Sequence, residues 1–147
     1  MEIAEEPLHG GVMEITFPGG KQVVASYKGF VINTDQPKHR GGGGAYPAPF
    51  DIFLASIGTC AGIYVLSFCQ ERKLPTGGLK LVQRMEHDKL TKAITRVDIE
   101  IQLPADFPEK YKNAVVTAAG LCTVKKCLGE PPSFNIFAVK NAGGAHG

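Results

Sequence analysis

The sequence predicts an α+β domain with strands and helices segregated along the chain, not a doubly wound parallel sheet. Three observations carry this prediction. The uncharged run Ile52 to Cys69 (IFLASIGTCAGIYVLSFC) has the length and all-round apolarity of one buried helix. Segments rich in β-branched residues lie on both sides of it. Clusters of glycine and proline separate the segments from one another.

The first third is expected to be strands. Val12–Phe17 (VMEITF) alternates in part, Pro18-Gly19-Gly20 signals a turn, and Gln22–Tyr27 and Phe30–Asn33 continue the pattern. Asp35–Gly44 (DQPKHRGGGG) is then a loop, because four consecutive glycines do not sustain regular structure, and it is expected to act as a flexible lid or connector. Pro49 suits the first helical position and Asp51 the first turn, where a negative charge meets the positive end of the helix dipole. The helix is expected to run to about Lys73 and to end at Leu74-Pro75.

Leu79–His87 and Ile94–Leu103 alternate with period two. Val97, Ile99, Ile101 and Leu103 share one face, and Arg96, Asp98, Glu100 and Gln102 the other, as in a half-buried antiparallel pair joined near Asp88-Lys89. A second helix is expected to open with Asp106 as N-cap and to end or kink near Gly120. A short helix from Cys122 to Leu128 follows, Pro131-Pro132 stops it, and Ser133–Val139 (SFNIFAV) is expected as a last strand. The 147 residues are expected to form one domain, with flexible ends at 1–9 and 141–147. The N-terminal sheet and the long apolar helix expose more than so small a domain covers, which predicts a homodimer.

Composition narrows the function. A formal charge of +2 gives no footprint for nucleic acid. The 18 uncharged residues of the central run reach the lower limit for a membrane span, but Ser56, Gly58, Thr59, Gly62 and Ser67 dilute it, and no membrane association is expected. The start, MEIAEEPLHGG, has neither the basic nor the apolar region of a secretory signal, so a cytoplasmic location is expected, where thiols stay reduced.

Four cysteines and four histidines show no C-x-x-C or H-x-x-x-H spacing, so no metal or other cofactor is expected. No G-x-S-x-G marks a serine nucleophile, and the glycine run lacks the Lys-Ser or Lys-Thr of a phosphate loop.

The cysteines carry the candidate chemistry. Cys60 and Cys122 lie on separate helical segments and can meet in space, as suits an attacking thiol and a thiol that closes a disulfide. Cys69 follows Cys60 by nine residues, about 900° of helix, and so faces the opposite way as a packing residue. Cys122 and Cys127 are about 140° apart, so only one of them faces Cys60. Cys122, just after the Gly120 break, is favoured by its place at a helix N-terminus, with Cys127 as the alternative.

The stretches GG…P-x-P before the helix, PFDIFLASIGTCAG with Cys60, GLCTVKKCL with Cys122 and the closing SFNIFAV resemble the OsmC/Ohr family (osmotically inducible and organic hydroperoxide resistance proteins) over about residues 10–140. The resemblance implies an intertwined homodimer, with two central helices wrapped by sheets and active sites at the interface. It implies that Cys60, as thiolate, attacks a small organic hydroperoxide and becomes a sulfenic acid. Cys122 then condenses with it to a disulfide, and an external dithiol reduces that bond.

Three features depart from the family's peroxidases. No arginine precedes Arg40, leaving Lys21, Lys28 or Arg40 to activate the thiolate. The glutamate ten residues before the first cysteine is Phe50 here, whereas Asp51 matches branches that carry their acid nine residues before it. The second cysteine is followed by Thr123 in place of the usual proline. The alternatives to a peroxidase are an OsmC-like protein binding a small ligand at the dimer interface and a thiol redox sensor.

Overall fold

In the computed structural model, which describes residues 11–141, five strands and three α-helices make an α+β fold with two antiparallel sheets. The tails 1–9 and 142–147, expected to be flexible, lie outside the described residues.

The first sheet has the order β1 (Glu14–Gly19), β2 (Gln22–Tyr27), β3 (Phe30–Thr34). β1 begins two residues later than the alternation suggested. Lys28 and Gly29 both have positive φ, the requirement of a two-residue turn that follows the strand twist, and Tyr27 pairs with Phe30 across it.

The glycine-rich segment after β3 is not the free connector the sequence suggested. Asp35, only 1% exposed, accepts hydrogen bonds from the backbone N–H groups of Gln36 (2.7 Å), Ala45 (3.1 Å) and Gly43. A one-turn 3-10 helix, Lys38–Arg40, occupies the middle of the segment, and Gly42 packs so close to the Gln36 carbonyl that any Cβ would collide with it. The glycines permit a tight approach of backbone to backbone, and the carboxylate holds it.

The amide bonds from Ala45 and Gln36 pull the Asp35 carboxyl below its ordinary range. A carboxyl depressed by folding stabilises fully above its unfolded pKa and loses that contribution as pH falls through the folded value. The gap in urea midpoint between the native chain and Asp35→Asn should therefore be widest near neutrality and should shrink below about pH 4. A gap independent of pH would show that the charge holds nothing.

α1 spans Pro49–Glu71. Pro49 stands at the first helical position, and the Asp51 carboxylate accepts from the Ala48 N–H at 3.2 Å, closing the N-terminus from within. The helix stops at Lys73, whose φ of 53° is left-handed. Hydrogen bonds from Lys73 N–H to the Gln70 carbonyl (3.2 Å) and from Leu74 N–H to the Cys69 carbonyl (2.9 Å) complete a Schellman ending.

β4 (Lys80–His87) and β5 (Ile94–Gln102) pair in the expected hairpin, from Lys80–Gln102 to His87–Ile94. The Arg84–Glu100 (2.8 Å) and Arg96–Asp98 (2.9 Å) ion pairs lie on its outer face.

Asp106 caps no helix. Phe107 precedes Pro108 and is driven out of the helical region, so the chain first makes a 3-10 turn at Glu109–Tyr111 and α2 runs only over Lys112–Ala119. α3 (Thr123–Gly129) follows with Cys122 as its N-cap residue.

The core lies where α1 meets α2 and the hairpin: Val65, Phe68, Cys69 and Val115 are buried, with Leu81, Ile101 and Tyr111 packed around them. α1 is long and apolar enough to cross a membrane, with mean hydropathy 2.0. Ile57, Ala61, Val65 and Phe68 on one face of it are buried against the rest of the fold, whereas only 28% of the apolar span as a whole is buried.

The expected last strand is absent. Ser133–Val139 forms no strand, and Phe134, Ile136, Phe137 and Val139 are between 76% and 91% exposed. A strand satisfies its backbone only beside a neighbour, and this segment pairs with neither of the two described sheets. The composition of SFNIFAV supplies β propensity but not an edge to pair with.

Candidate functional site

Two of the four predicted site residues come together. Cys60, half-buried on α1, and Cys122, 2% exposed at the start of α3, are free thiols near enough for the charge of one to act on the other. The local sequence explains the meeting. Gly120 ends α2, the extended backbone of Cys122 (φ −61°, ψ 143°) starts α3, and the cysteine side chain is left facing α1 at the corner between them. Cys127, the alternative partner, is exposed on α3. Cys69 is fully buried within the core.

Neighbouring contacts fix this corner. The Tyr64 and Thr123 hydroxyls share a hydrogen bond of 3.1 Å, one helical turn beyond Cys60 and one residue beyond Cys122. On the other side, the Gln83 amide donates to the Leu54 carbonyl (3.0 Å) and its oxygen occupies the space where a side chain on Gly58 would begin. Gly58 thus lets β4 approach α1 within a turn of Cys60.

Burial is the main influence on the Cys122 thiol and pushes its pKa up. The backbone at Lys125, in the first turn of α3, acts in the opposite direction. The neighbouring Cys60 raises it further, and the Lys125 ammonium lowers it. Cys69 is also raised by burial. An apolar cavity of about 490 Å³ opens beside this corner, lined by Cys122, Ile57, Ile99, Val115, Lys112 and Lys125 among others.

The other two predicted residues stand elsewhere. Asp51 lies nine residues before Cys60, half a turn round the helix, and its carboxylate is engaged by Ala48. Arg40 is exposed on the 3-10 turn of the Asp35 segment. The cation that acts on Cys122 is Lys125, which the sequence reading passed over. Its signal was available: a lysine three residues after Cys122 shares a helix face with it. The pair can chemically give up two electrons, passing from two thiols to one disulfide without leaving the protein.

Comparison with known proteins gives a consistent picture. Among solved structures, the chain is similar to a Psychrobacter arcticus protein provisionally assigned to the osmotic stress and detoxification response (19% identity, TM-score 0.66, covering 78% of this chain and 85% of the other). It is also similar to an OsmC-like protein of Mycoplasma pneumoniae (12%, TM-score 0.65, 82% and 88%). A third is an organic hydroperoxide resistance protein OsmC of Legionella pneumophila, also described as a predicted redox protein (13%, TM-score 0.55, 82% and 90%). At such identities the likeness is one of fold. No curated protein matches the sequence. The profile of the OsmC-like protein family matches residues 41–137, which include both Cys60 and Cys122, and the chain accordingly belongs to that family.

Proposed function

We propose that the chain is a two-cysteine thiol peroxidase that reduces organic hydroperoxides and works as a homodimer. The observation that carries this reading is the proximity of two reduced thiols of unequal access, Cys60 half-open and Cys122 buried. The Cys60 thiolate attacks the distal oxygen of the hydroperoxide, the O–O bond breaks, and the alkoxide leaves as alcohol after taking a proton. Cys60 is then a sulfenic acid. The Cys122 thiolate attacks that sulfur, the S–O bond breaks, and hydroxide departs, protonated to water. An external dithiol returns two electrons by exchange.

The apolar cavity, with Cys122 but not Cys60 in its wall, supports an apolar molecule near the thiol pair. The exposed Phe134, Ile136, Phe137 and Val139 and the apolar surface of the first sheet, with Phe17, Phe30 and Val31 exposed, support a second copy as cover. The same cavity favours, as a second reading, a protein that binds a small apolar ligand without turning it over.

Treating the fully reduced chain with one equivalent of cumene hydroperoxide should remove two of four thiols and yield a Cys60–Cys122 disulfide by peptide mapping. Four surviving thiols with the peroxide intact would defeat the peroxidase reading and leave ligand binding.

A further inference from the structure

Disulfide closure asks for more than two thiols on facing helices. The corner that carries Cys122 must hold still against the turn of α1 that carries Cys60, because every open position of that corner is lost when the S–S bond forms. The start of α3 has little of its own to hold it. Cys122 makes no side-chain cap hydrogen bond there, α3 has only 7 residues, and most of them are exposed. Thr123 stands at the first helical position, where this chain departs from the proline of the family's peroxidases. Proline would fix φ at that position, and threonine leaves it free.

A tether crosses from α1 instead. The Tyr64 and Thr123 hydroxyls meet at 3.1 Å. Tyr64 lies four residues after Cys60, one turn along the same side of α1, and its side chain is half-buried, so the hydroxyl stands on a fixed base. Thr123 is the chain neighbour of Cys122. A bond between these two hydroxyls therefore holds the Cys122 backbone about one helical turn from the level of Cys60.

We propose that Tyr64 and Thr123 form a latch that positions the Cys122 corner for disulfide closure. Both are positioning residues, acting on the reaction through the cysteine that follows or precedes them. The inference deepens the two-cysteine reading and rests on its thiol pair, but not on the peroxide, because closure is the same event whichever oxidant has capped Cys60. With glutathione disulfide as oxidant, the Cys60 thiolate attacks one of its sulfurs, a glutathione thiolate leaves, and a Cys60–glutathione mixed disulfide remains. The Cys122 thiolate then attacks the Cys60 sulfur, the bond to glutathione breaks, and the second glutathione thiolate leaves and takes a proton. Two protein thiols give up two electrons, and one glutathione disulfide becomes two glutathiones.

At a fixed concentration of reduced glutathione, the ratio of mixed disulfide to Cys60–Cys122 disulfide reports the effective concentration of Cys122 at Cys60. The full-length protein is equilibrated with reduced glutathione and its disulfide at neutral pH and quenched in acid, and both species are quantified by peptide mapping and mass spectrometry. Tyr64→Phe and Thr123→Val should each raise the ratio about fivefold, the worth of one neutral hydrogen bond. The double variant should raise it no further, because both changes break the same bond. Thr123→Ser, which keeps the hydroxyl, should give the native ratio.

A native ratio in Tyr64→Phe would overturn the proposal. So would a native ratio in Thr123→Val, since the tyrosine hydroxyl would then act without its partner. Effects that multiply in the double variant, to about 25-fold, or a raised ratio in Thr123→Ser would be the mark of separate packing changes and would overturn it as well. The two readings fail separately. A native chain that closes its disulfide with glutathione but leaves cumene hydroperoxide intact defeats the peroxidase, while the variants still decide the latch. A native chain that forms only the mixed disulfide at every glutathione ratio overturns both.

Discussion

Cys60→Ser should abolish thiol loss on addition of an organic hydroperoxide, whereas Cys122→Ser should consume one equivalent and stop. Serine holds its proton at neutral pH and gives no thiolate to attack the O–O bond, so the rate should fall by at least about two orders of magnitude, to the background of the remaining thiols. Cys122→Ser retains the attacking thiol and removes only its partner. Cys60 should then persist as a sulfenic acid, open to dimedone because it is half-exposed. Cys127→Ser should behave as the native chain does, since that thiol lies exposed and apart from the pair. Following peroxide consumption and adduct mass in the three variants checks the assignment. Burst behaviour in Cys60→Ser with none in Cys122→Ser would reverse the two roles.

The proposed division of labour starts from a feature legible in the sequence. Two cysteines on separate helices can face one another, whereas Cys60 and Cys69 on one helix cannot; Cys69 is buried in the core and Cys127 is exposed. Elements whose pattern is self-contained were also legible: the long apolar helix, its Pro49 and Asp51 start, and the alternating β4–β5 hairpin. What could not be read depended on partners distant in the chain. The glycine run looked free because glycines have no side chains of their own. Its order comes from Asp35, whose carboxylate reaches forward to Gly43 and Ala45. The segment Ser133–Val139 has the composition of a strand, but pairing needs an edge, which the described sheets do not lend it. Asp106 looked like a cap until Pro108 delayed the helix. The cation was sought upstream of Cys60, whereas the lysine that shares a cavity wall with Cys122 lies three residues after it on α3.

Phe68→Ala should be the most damaging single change to the core and should also loosen the thiol pair. Phe68 sits in the buried cluster with Val65, Cys69 and Val115, meets the Tyr111 ring edge-on at 6.2 Å, and carries the Arg72 guanidinium 3.8 Å above its face. Truncation forfeits the transfer free energy of the ring, leaves a cavity between α1 and α2, and loses the aromatic and cation contacts. The expected loss is about 3–5 kcal/mol. For a domain of this size that corresponds to a thermal midpoint lower by about 6–20 °C, compared at one protein concentration because association contributes to stability. Phe68→Leu, which fills most of the space, should lose no more than about 1.5 kcal/mol. The consequence reaches the site because Tyr111 immediately precedes α2, and α2 runs directly into the Gly120 corner that presents Cys122 to Cys60. Below its melting range, Phe68→Ala should therefore also close the disulfide more slowly than Phe68→Leu. A Phe68→Ala chain that melts with the native one would mean that α1 and α2 are held together elsewhere. One that is destabilised but closes its disulfide at the native rate would mean that the corner is fixed by the Tyr64–Thr123 hydrogen bond and not by the core beneath it.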